Sequence, residues 1–280
     1  MTSKALVVLS GGQDSTLCLH WALQQGYDEV HAVAFDYGQK HNIELEMAAR
    51  QCADLNVALE ITHLGANILA GTSPLTNPDE KLEQYEDGDL PGGLEKTFVP
   101  MRNQLFLTVA ANRAYVLGAT NLITGVCQED SGGYPDCRQI FIHAVRDACN
   151  TGTFTGEPGT VSNLTIHTPL MNLSKAESII MAMKIPGAYA AWAYSHTAYD
   201  GAYPPNGADH ATVLRAQGFE AAGVPDPLIC RASCEGLMEL PDTDNYDVAR
   251  KVTDKGPKGK KKSWTADEFV ALVADAVGAA

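Results

Sequence analysis

Val7-Val8-Leu9-Ser10-Gly11-Gly12-Gln13-Asp14-Ser15 is the stretch that decides the fold. The apolar run Ala5 to Leu9 reads as a buried strand. Two glycines follow. A helical pattern then begins near Asp14 and runs through Leu17, Leu19, Trp21, Ala22 and Leu23. Strand, glycine turn and helix start together make an anion site. The turn aims backbone N–H groups outward, and the helix N-terminus adds partial positive charge. Gly11 and Gly12 let the backbone approach phosphates with no Cβ in the way. Ser10 and Ser15 add hydroxyl donors. Asp14 suits two tasks, capping the helix or fixing Mg²⁺ through its waters.

Outward from this stretch, apolar runs alternate with helical patterns. Strands are predicted at 5–9, 30–35, 57–62, 121–126 and 164–168, and helices at 15–25, 42–55, 103–117, 138–149 and 174–184. Such alternation predicts an α/β fold, a doubly wound parallel sheet with right-handed crossovers. Ligands in such sheets lie beyond the carboxyl ends of the strands. Residues 1–190 are expected to form the α/β domain that carries this anion site and 191–280 a small C-terminal appendage covering it.

Three segments break the alternation. Residues 74–97, rich in Pro, Gly and acids, read as a surface loop with the character of a lid or binding loop at its end. Residues 228–250 read as irregular, and the basic run 255–262 as a solvated linker. A short terminal helix is expected after a capping box, Thr265 to Glu268, with Phe269, Leu272, Val273 and Val277 on one face.

Composition narrows the class. The 280-residue chain carries a net charge of −14, which argues against direct binding of a nucleic-acid backbone. A small anionic substrate stays open, because a local N–H nest outweighs the global field. The seven cysteines are odd in number and scattered. No signal peptide or membrane-length apolar run is present, so a cytoplasmic protein with cysteines packed as small apolar groups is expected.

The unusual residues fall after strands. Asp36-Tyr37-Gly38-Gln39 follows the second strand, where backbone groups suit an adenine edge. Thr97-Phe98-Val99-Pro100-Met101-Arg102-Asn103 opens a helix, and Arg102 offers a planar fork for a carboxylate or phosphate. Gly125 to Arg138 packs acid, aromatic and base together, with Cys127 and Cys137 at a spacing no standard zinc pattern uses. Lys175 in Ser174-Lys175-Ala176-Glu177 is placed to neutralise a phosphate.

The Ser10–Ser15 loop lacks the Gly-Lys-Ser/Thr ending of a Walker loop and resembles the SGGxDS loop of PP-loop ATPases, which cleave ATP between the α and β phosphates. Together with Phe35–Gln39, Thr97–Asn103, Gly125–Arg138, Thr168–Leu170 and Lys175–Glu177, it resembles 7-cyano-7-deazaguanine synthase of the queuosine pathway over roughly residues 4–230, ending at Gly223–Pro227. The resemblance implies an AMP-forming ligase that converts 7-carboxy-7-deazaguanine and ammonia to the 7-cyano base with ATP and Mg²⁺. It also implies a homodimer. A variant stopping at 7-amido-7-deazaguanine, a PP-loop ligase of another acid, and a non-catalytic nucleotide-binding relative are the alternatives.

The expected roles follow. ATP is assigned to Leu9, Ser10, Gly11, Gly12, Gln13, Asp14, Ser15 and Thr16, with Phe35, Tyr37 and Gly125. Asp14, Ser15 and Lys175 are the expected catalytic groups. Arg102, Asn103, Asp130, Tyr134, Asp136 and Arg138 are the expected substrate contacts, Asp136 suiting a guanine-like amidine edge and an arginine the carboxylate. One departure stands out. The family's four zinc cysteines fall here on Ala198, Asn206, Asp209 and Thr212, while Arg215 is kept, so zinc is not expected. A replacement site from His196, Asp209, His210, Cys230 and Cys234 is the alternative. Trp192, Tyr194, Tyr199 and Tyr203, with Asn206 and Asp209 bonded to backbone, are expected to stabilise the segment instead.

Overall fold

A computed structural model describes residues 2–279 except 40, 66, 72, 78, 86–87, 91, 129–132, 154–162 and 255–263. The described residues form a five-stranded parallel sheet ordered β3-β2-β1-β4-β5. Its strands are β1 (Lys4–Val8), β2 (Glu29–Asp36), β3 (Ala58–His63), β4 (Asn121–Ile123) and β5 (Thr165–His167). The crossovers are α1 (Gln13–Leu23), α2 (Ile43–Asp54), α3 (Arg102–Leu117) and α4 (Gln139–Thr153). Strand order reverses between β1 and β4, so the crevice for a ligand opens after those two strands.

Alternation along β1 sorts the core into two layers. Ala5 and Val7 pack into one apolar cluster with Leu17 and Leu19 of α1 and Ala48 of α2. Leu6 points the other way, to Leu107 and Ala114 of α3 and Ile142 of α4. Helices therefore cover both faces, as the doubly wound reading requires.

β4 is shorter than predicted, because the chain leaves the sheet at Thr124. Gly125 lies so close to α1 that an added Cβ would sit 3.0 Å from the Asp14 carbonyl carbon. α3 ends where Gly118 adopts a left-handed conformation, φ 69°. α5 (Lys175–Met183) starts with a capping box: Glu177 N–H donates to Ser174 Oγ at 3.3 Å, and Ser174 N–H to Glu177 Oε2 at 2.8 Å. That cap fixes Lys175 as the first helical residue.

After α5 come α6 (Ala188–Ala191), α7 (His210–Ala222), α8 (Pro227–Cys234), α9 (Asp247–Asp254) and α10 (Ala266–Val277). The expectation of irregular structure over 228–250 is corrected by α8 and the start of α9. Pro227 is not a stop but the first helical residue, where a missing N–H costs nothing, and Asp226 caps the helix by accepting from Leu228 N–H at 2.9 Å. The terminal helix forms as read, capped by Thr265 and Glu268, with Phe269 and Val273 buried. The basic run 255–262 lies outside the described residues. No described helix is long and apolar enough to cross a membrane.

The C-terminal helices share the core. Trp192 and Phe219 are fully buried in the same cluster as α1, their rings crossing edge-on at 5.6 Å. The Trp192 indole donates to the Gln13 carbonyl at 2.8 Å, tying this region to the glycine loop.

Candidate active site

A cavity of about 340 Å³ lies at the carboxyl ends of β1, β2 and β4. Leu9, Ser10, Gly12, Gln13, Asp14 and Ser15 line one wall, and Phe35 and Tyr37 another. Arg102, Asn103, Gly125, Tyr134 and Lys175 complete it from other elements. Residues from the segment 196–214 close over it: His196, Thr197, Tyr199, His210, Ala211 and Leu214.

The loop after β1 is built around its serines. Ser15 Oγ accepts from Ser10 N–H at 3.1 Å and lies 3.0 Å from Ser10 Oγ. Among the described residues no side chain caps α1, so its first N–H groups stay available at the cavity. Gln13 lines the cavity, and its buried Nε2 has no hydrogen-bond partner among the described residues. A buried donor in that state is costly unless an acceptor arrives. A phosphate oxygen is such an acceptor.

Gly11 and Thr16 do not line the cavity. A Cβ on Gly11, whose φ is +87°, would overlap the Glu44 carbonyl oxygen of α2. Its bareness therefore serves close packing of loop on helix as well as loop geometry. Thr16 is fully buried and donates to the Gly12 carbonyl at 2.7 Å. Both hold the loop from behind.

Asp14 does not cap α1. Its carboxylate receives Lys175 Nζ at 2.9 and 3.0 Å on its two oxygens. The first turn of α1 and the first turn of α5 thus meet in one ion pair at the mouth of the loop.

Arg102 opens α3 from a left-handed Met101, φ 66°. Its neighbours are the Tyr37 phenol and the rings of Tyr134 and Tyr199. Tyr134 hydroxyl lies 2.6 Å from Thr97 Oγ1, and Tyr199 is half-buried beside it. Phe35 stacks on Phe106 at 4.5 Å. An aromatic slot with one fixed guanidinium suits a flat anionic ligand.

Two of the expected substrate contacts lie elsewhere. Asp136 is buried but not on the cavity wall; it accepts from Asn103 N–H at 3.4 Å and so helps hold the start of α3. Burial raises its pKa, against the pull of Arg102. Arg138 is exposed, outside the cavity. Asp130 lies outside the described residues. Cys127 and Cys137 are buried free thiols, and burial, then the nearby Asp136 charge, pushes Cys137 up to about 12. Such a thiol stays protonated and is a poor nucleophile.

Glu44 is the residue that sequence reading passed over. It stands in the first turn of α2, half-buried on the cavity wall, and burial raises it to about 7 against the opposing charge of Arg102. The signal was available: a carboxylate just beyond the carboxyl end of a strand. His196 was weighed as a metal ligand. Burial lowers it to about 4, and its Nε2 bonds the Ala198 carbonyl at 2.8 Å.

The four positions where the family is expected to hold zinc do not fit that ion. Ala198 brings no donor atom. The Asp209 carboxylate already accepts from Thr212 N–H at 2.9 Å and Tyr199 N–H at 3.2 Å, capping α7. Asn206 Oδ1 accepts from Ala208 N–H at 3.0 Å. Among the described residues no group of three or more His, Cys, Asp or Glu side chains is arranged for a metal ion. Arg215 braces the segment from below. It pairs with Asp226 at 2.6 and 2.8 Å and donates to Ser195 and Thr197 at 2.8 Å each.

Comparison with known proteins places this architecture. A protein of Gloeobacter violaceus named 7-cyano-7-deazaguanine synthase is 48% identical over 229 residues, covering 80% of this chain and 95% of that protein. A protein of the same name from Chromobacterium violaceum is 46% identical, covering 84% of this chain and 97% of the relative. One from Laribacter hongkongensis is 45% identical, covering 81% and 94%. Among solved structures the likeness is slight: a predicted subunit of tRNA methyltransferase from Methanocaldococcus jannaschii aligns at TM-score 0.42 and 16% identity, over 64% of this chain and 73% of that one. The family model for the queuosine biosynthesis protein QueC matches residues 4–223. With that match spanning the whole sheet and the cavity above it, the chain belongs to the QueC family.

Proposed function

We propose that the protein is an AMP-forming ligase that converts 7-carboxy-7-deazaguanine and ammonia to 7-cyano-7-deazaguanine at the expense of ATP. The observation that carries this reading is the loop at 10–15, with α1 uncapped, Gln13 Nε2 unpartnered and Lys175 held at its mouth by Asp14. Each of these features suits a pyrophosphate leaving group.

A carboxylate resists ammonia because its leaving group would be oxide. Adenylation removes that obstacle. The substrate carboxylate attacks the α-phosphorus of ATP, and pyrophosphate leaves into the loop. The N–H groups of α1, Ser10, Ser15 and Lys175 stabilise the charge that develops. Mg²⁺ would accompany ATP and offset phosphate charge, and Asp14 is the carboxylate that would hold it through water once Lys175 turns to the phosphates. Ammonia then displaces AMP and gives the amide. A second adenylation, on the amide oxygen, lets AMP leave as the remaining N–H protons are lost, and the nitrile forms.

The adenine has a place between Phe35 and Gly125. Gln39 carboxamide bridges Tyr37 N–H, at 3.0 Å, and the Phe35 carbonyl, at 3.4 Å. That donor and acceptor match an adenine edge, which carries the same acceptor–donor order as the carboxamide it would displace. Arg102 takes the substrate carboxylate, and the aromatic walls take the ring.

The test is product analysis. Purified protein with 7-carboxy-7-deazaguanine, ammonium and MgATP should yield the nitrile, with AMP and pyrophosphate, by mass spectrometry. An accumulating amide as the only product would assign the shorter reaction, and no turnover of the acid would overturn the reading.

A further inference from the structure

The cavity presents two acidic side chains among its described lining residues, Asp14 and Glu44. Asp14 is engaged on both oxygens by Lys175. Glu44 makes no hydrogen bond or close ion pair among the described residues. Its backbone is fixed, because its carbonyl oxygen is wedged against Gly11 of the phosphate loop. Its side chain shares the cavity wall with Tyr37 and Arg102, and Arg102 is close enough to act on its charge. Asp136, the other acid considered for this end of the site, is turned to the start of α3.

A half-buried carboxylate with both oxygens uncommitted is a pair of coplanar acceptors. A guanine-like ring offers the complementary edge: one ring N–H and one exocyclic amine, two parallel donors. Resting on the function proposed above, we propose that Glu44 reads this amidine edge of the deazaguanine and sets the selectivity for a guanine-type base. The guanidinium of Arg102 then meets the carboxylate at the other end of the ring, so one flat ligand is held at both ends.

The two-donor edge binds only the ionised form of Glu44, since a protonated carboxyl would set its own O–H against a donor. Burial holds Glu44 near 7 in the free protein. The groups facing it are Tyr37 beyond β2 and Arg102 on α3, with Tyr134 and Tyr199 near Arg102, and His196 and His210 in the segment that closes over the cavity, burial lowering His210 as well. Of these, burial keeps His196 neutral down to about pH 4 and raises the three phenols above their ordinary value. Glu44 is therefore the group expected to titrate near neutrality on this wall.

The experiment measures binding of two probes, 7-cyano-7-deazaguanine and its analogue lacking the 2-amino group, to wild type, Glu44→Gln and Glu44→Asp. Wild type should prefer the guanine-type base by about tenfold or more, the range of one charge-assisted hydrogen bond. Its affinity should fall about tenfold per pH unit below pH 7. Glu44→Gln should bring the two probes within about twofold and flatten the pH dependence, with ATP affinity unchanged. Glu44→Asp, which keeps both acceptors on a shorter stem, should bind more weakly and keep the preference. A Glu44→Gln protein that binds ATP normally and keeps the full preference would overturn the assignment. So would a loss of kcat with binding of both probes unaltered, which is the signature of a base rather than a reader. Wild type that binds neither base would overturn the functional reading and this assignment together.

Discussion

At the residue scale, the account rests on two charges. Lys175 and Asp14 come from sequence positions far apart, yet their ion pair closes the phosphate loop. Asp14→Ala and Ser15→Ala should each cut turnover by about 10²-fold or more, the usual cost of removing one preorganised charge-stabilising group. Near-normal steady-state kinetics in a folded Asp14→Ala protein would remove the loop from the mechanism. Arg102→Lys should weaken binding of the deazapurine about tenfold or more, because a point charge does not copy two parallel bonds. An unchanged KM for both substrates would detach Arg102 from the ligand. That the phosphate loop, Arg102 and Lys175 meet at one cavity was legible in the sequence: the loop and Lys175 come after β1 and β5, Arg102 opens α3, and the sheet gathers these ends on one side. Glu44 also stands beyond a strand end, but what sets it apart, having no partner among the described residues, is not written in the sequence. Asp136 was read as a ligand contact for the opposite reason. Its neighbour Asn103 is far away in sequence, and nothing local announces that the carboxylate is already used.

At the scale of elements, the loop and α2 are built for contact. Gly11→Ala is expected to be poorly tolerated twice over, once for a positive φ and once for overlap with the Glu44 carbonyl. Such strain typically costs about 1–3 kcal/mol. Denaturant unfolding should show it as a lowered midpoint, and an unchanged midpoint would mean that loop and helix separate freely. The five strands and first five helices were readable because period and punctuation agreed. The segment 228–250 was misread where punctuation has two meanings. Pro227 ends a helix if it comes after one and starts one if Asp stands before it, and Asp226 does. α7 was not predicted, because Asp209 and Thr212 were read as the positions of the family's zinc cysteines, whereas Thr212 N–H donates to the Asp209 carboxylate and opens the helix.

At the scale of the molecule, the segment over the cavity has to be held in place. Trp192 on the Gln13 carbonyl, Asp209 on two amides and Arg215 on Asp226 do this with hydrogen bonds and a buried pair. The Arg50 guanidinium lies 3.3 Å over the Tyr194 ring, adding a contact from α2 to the same region. The protein is therefore expected to fold and turn over without zinc. Metal analysis of untagged protein, with melting followed with and without a chelator, checks this. Stoichiometric zinc or a chelator-induced fall in Tm would show that another set of side chains holds the ion.

The central claim is that the loop at 10–15 serves cleavage of ATP between the α and β phosphates. Isotope exchange between pyrophosphate and ATP measures that step without waiting for product. Labelled pyrophosphate should enter ATP only when 7-carboxy-7-deazaguanine is present, ammonia should not be required, and Asp14→Ala should reduce the exchange about 10²-fold or more. Turnover that releases ADP and phosphate, with no label entering ATP, would contradict the account.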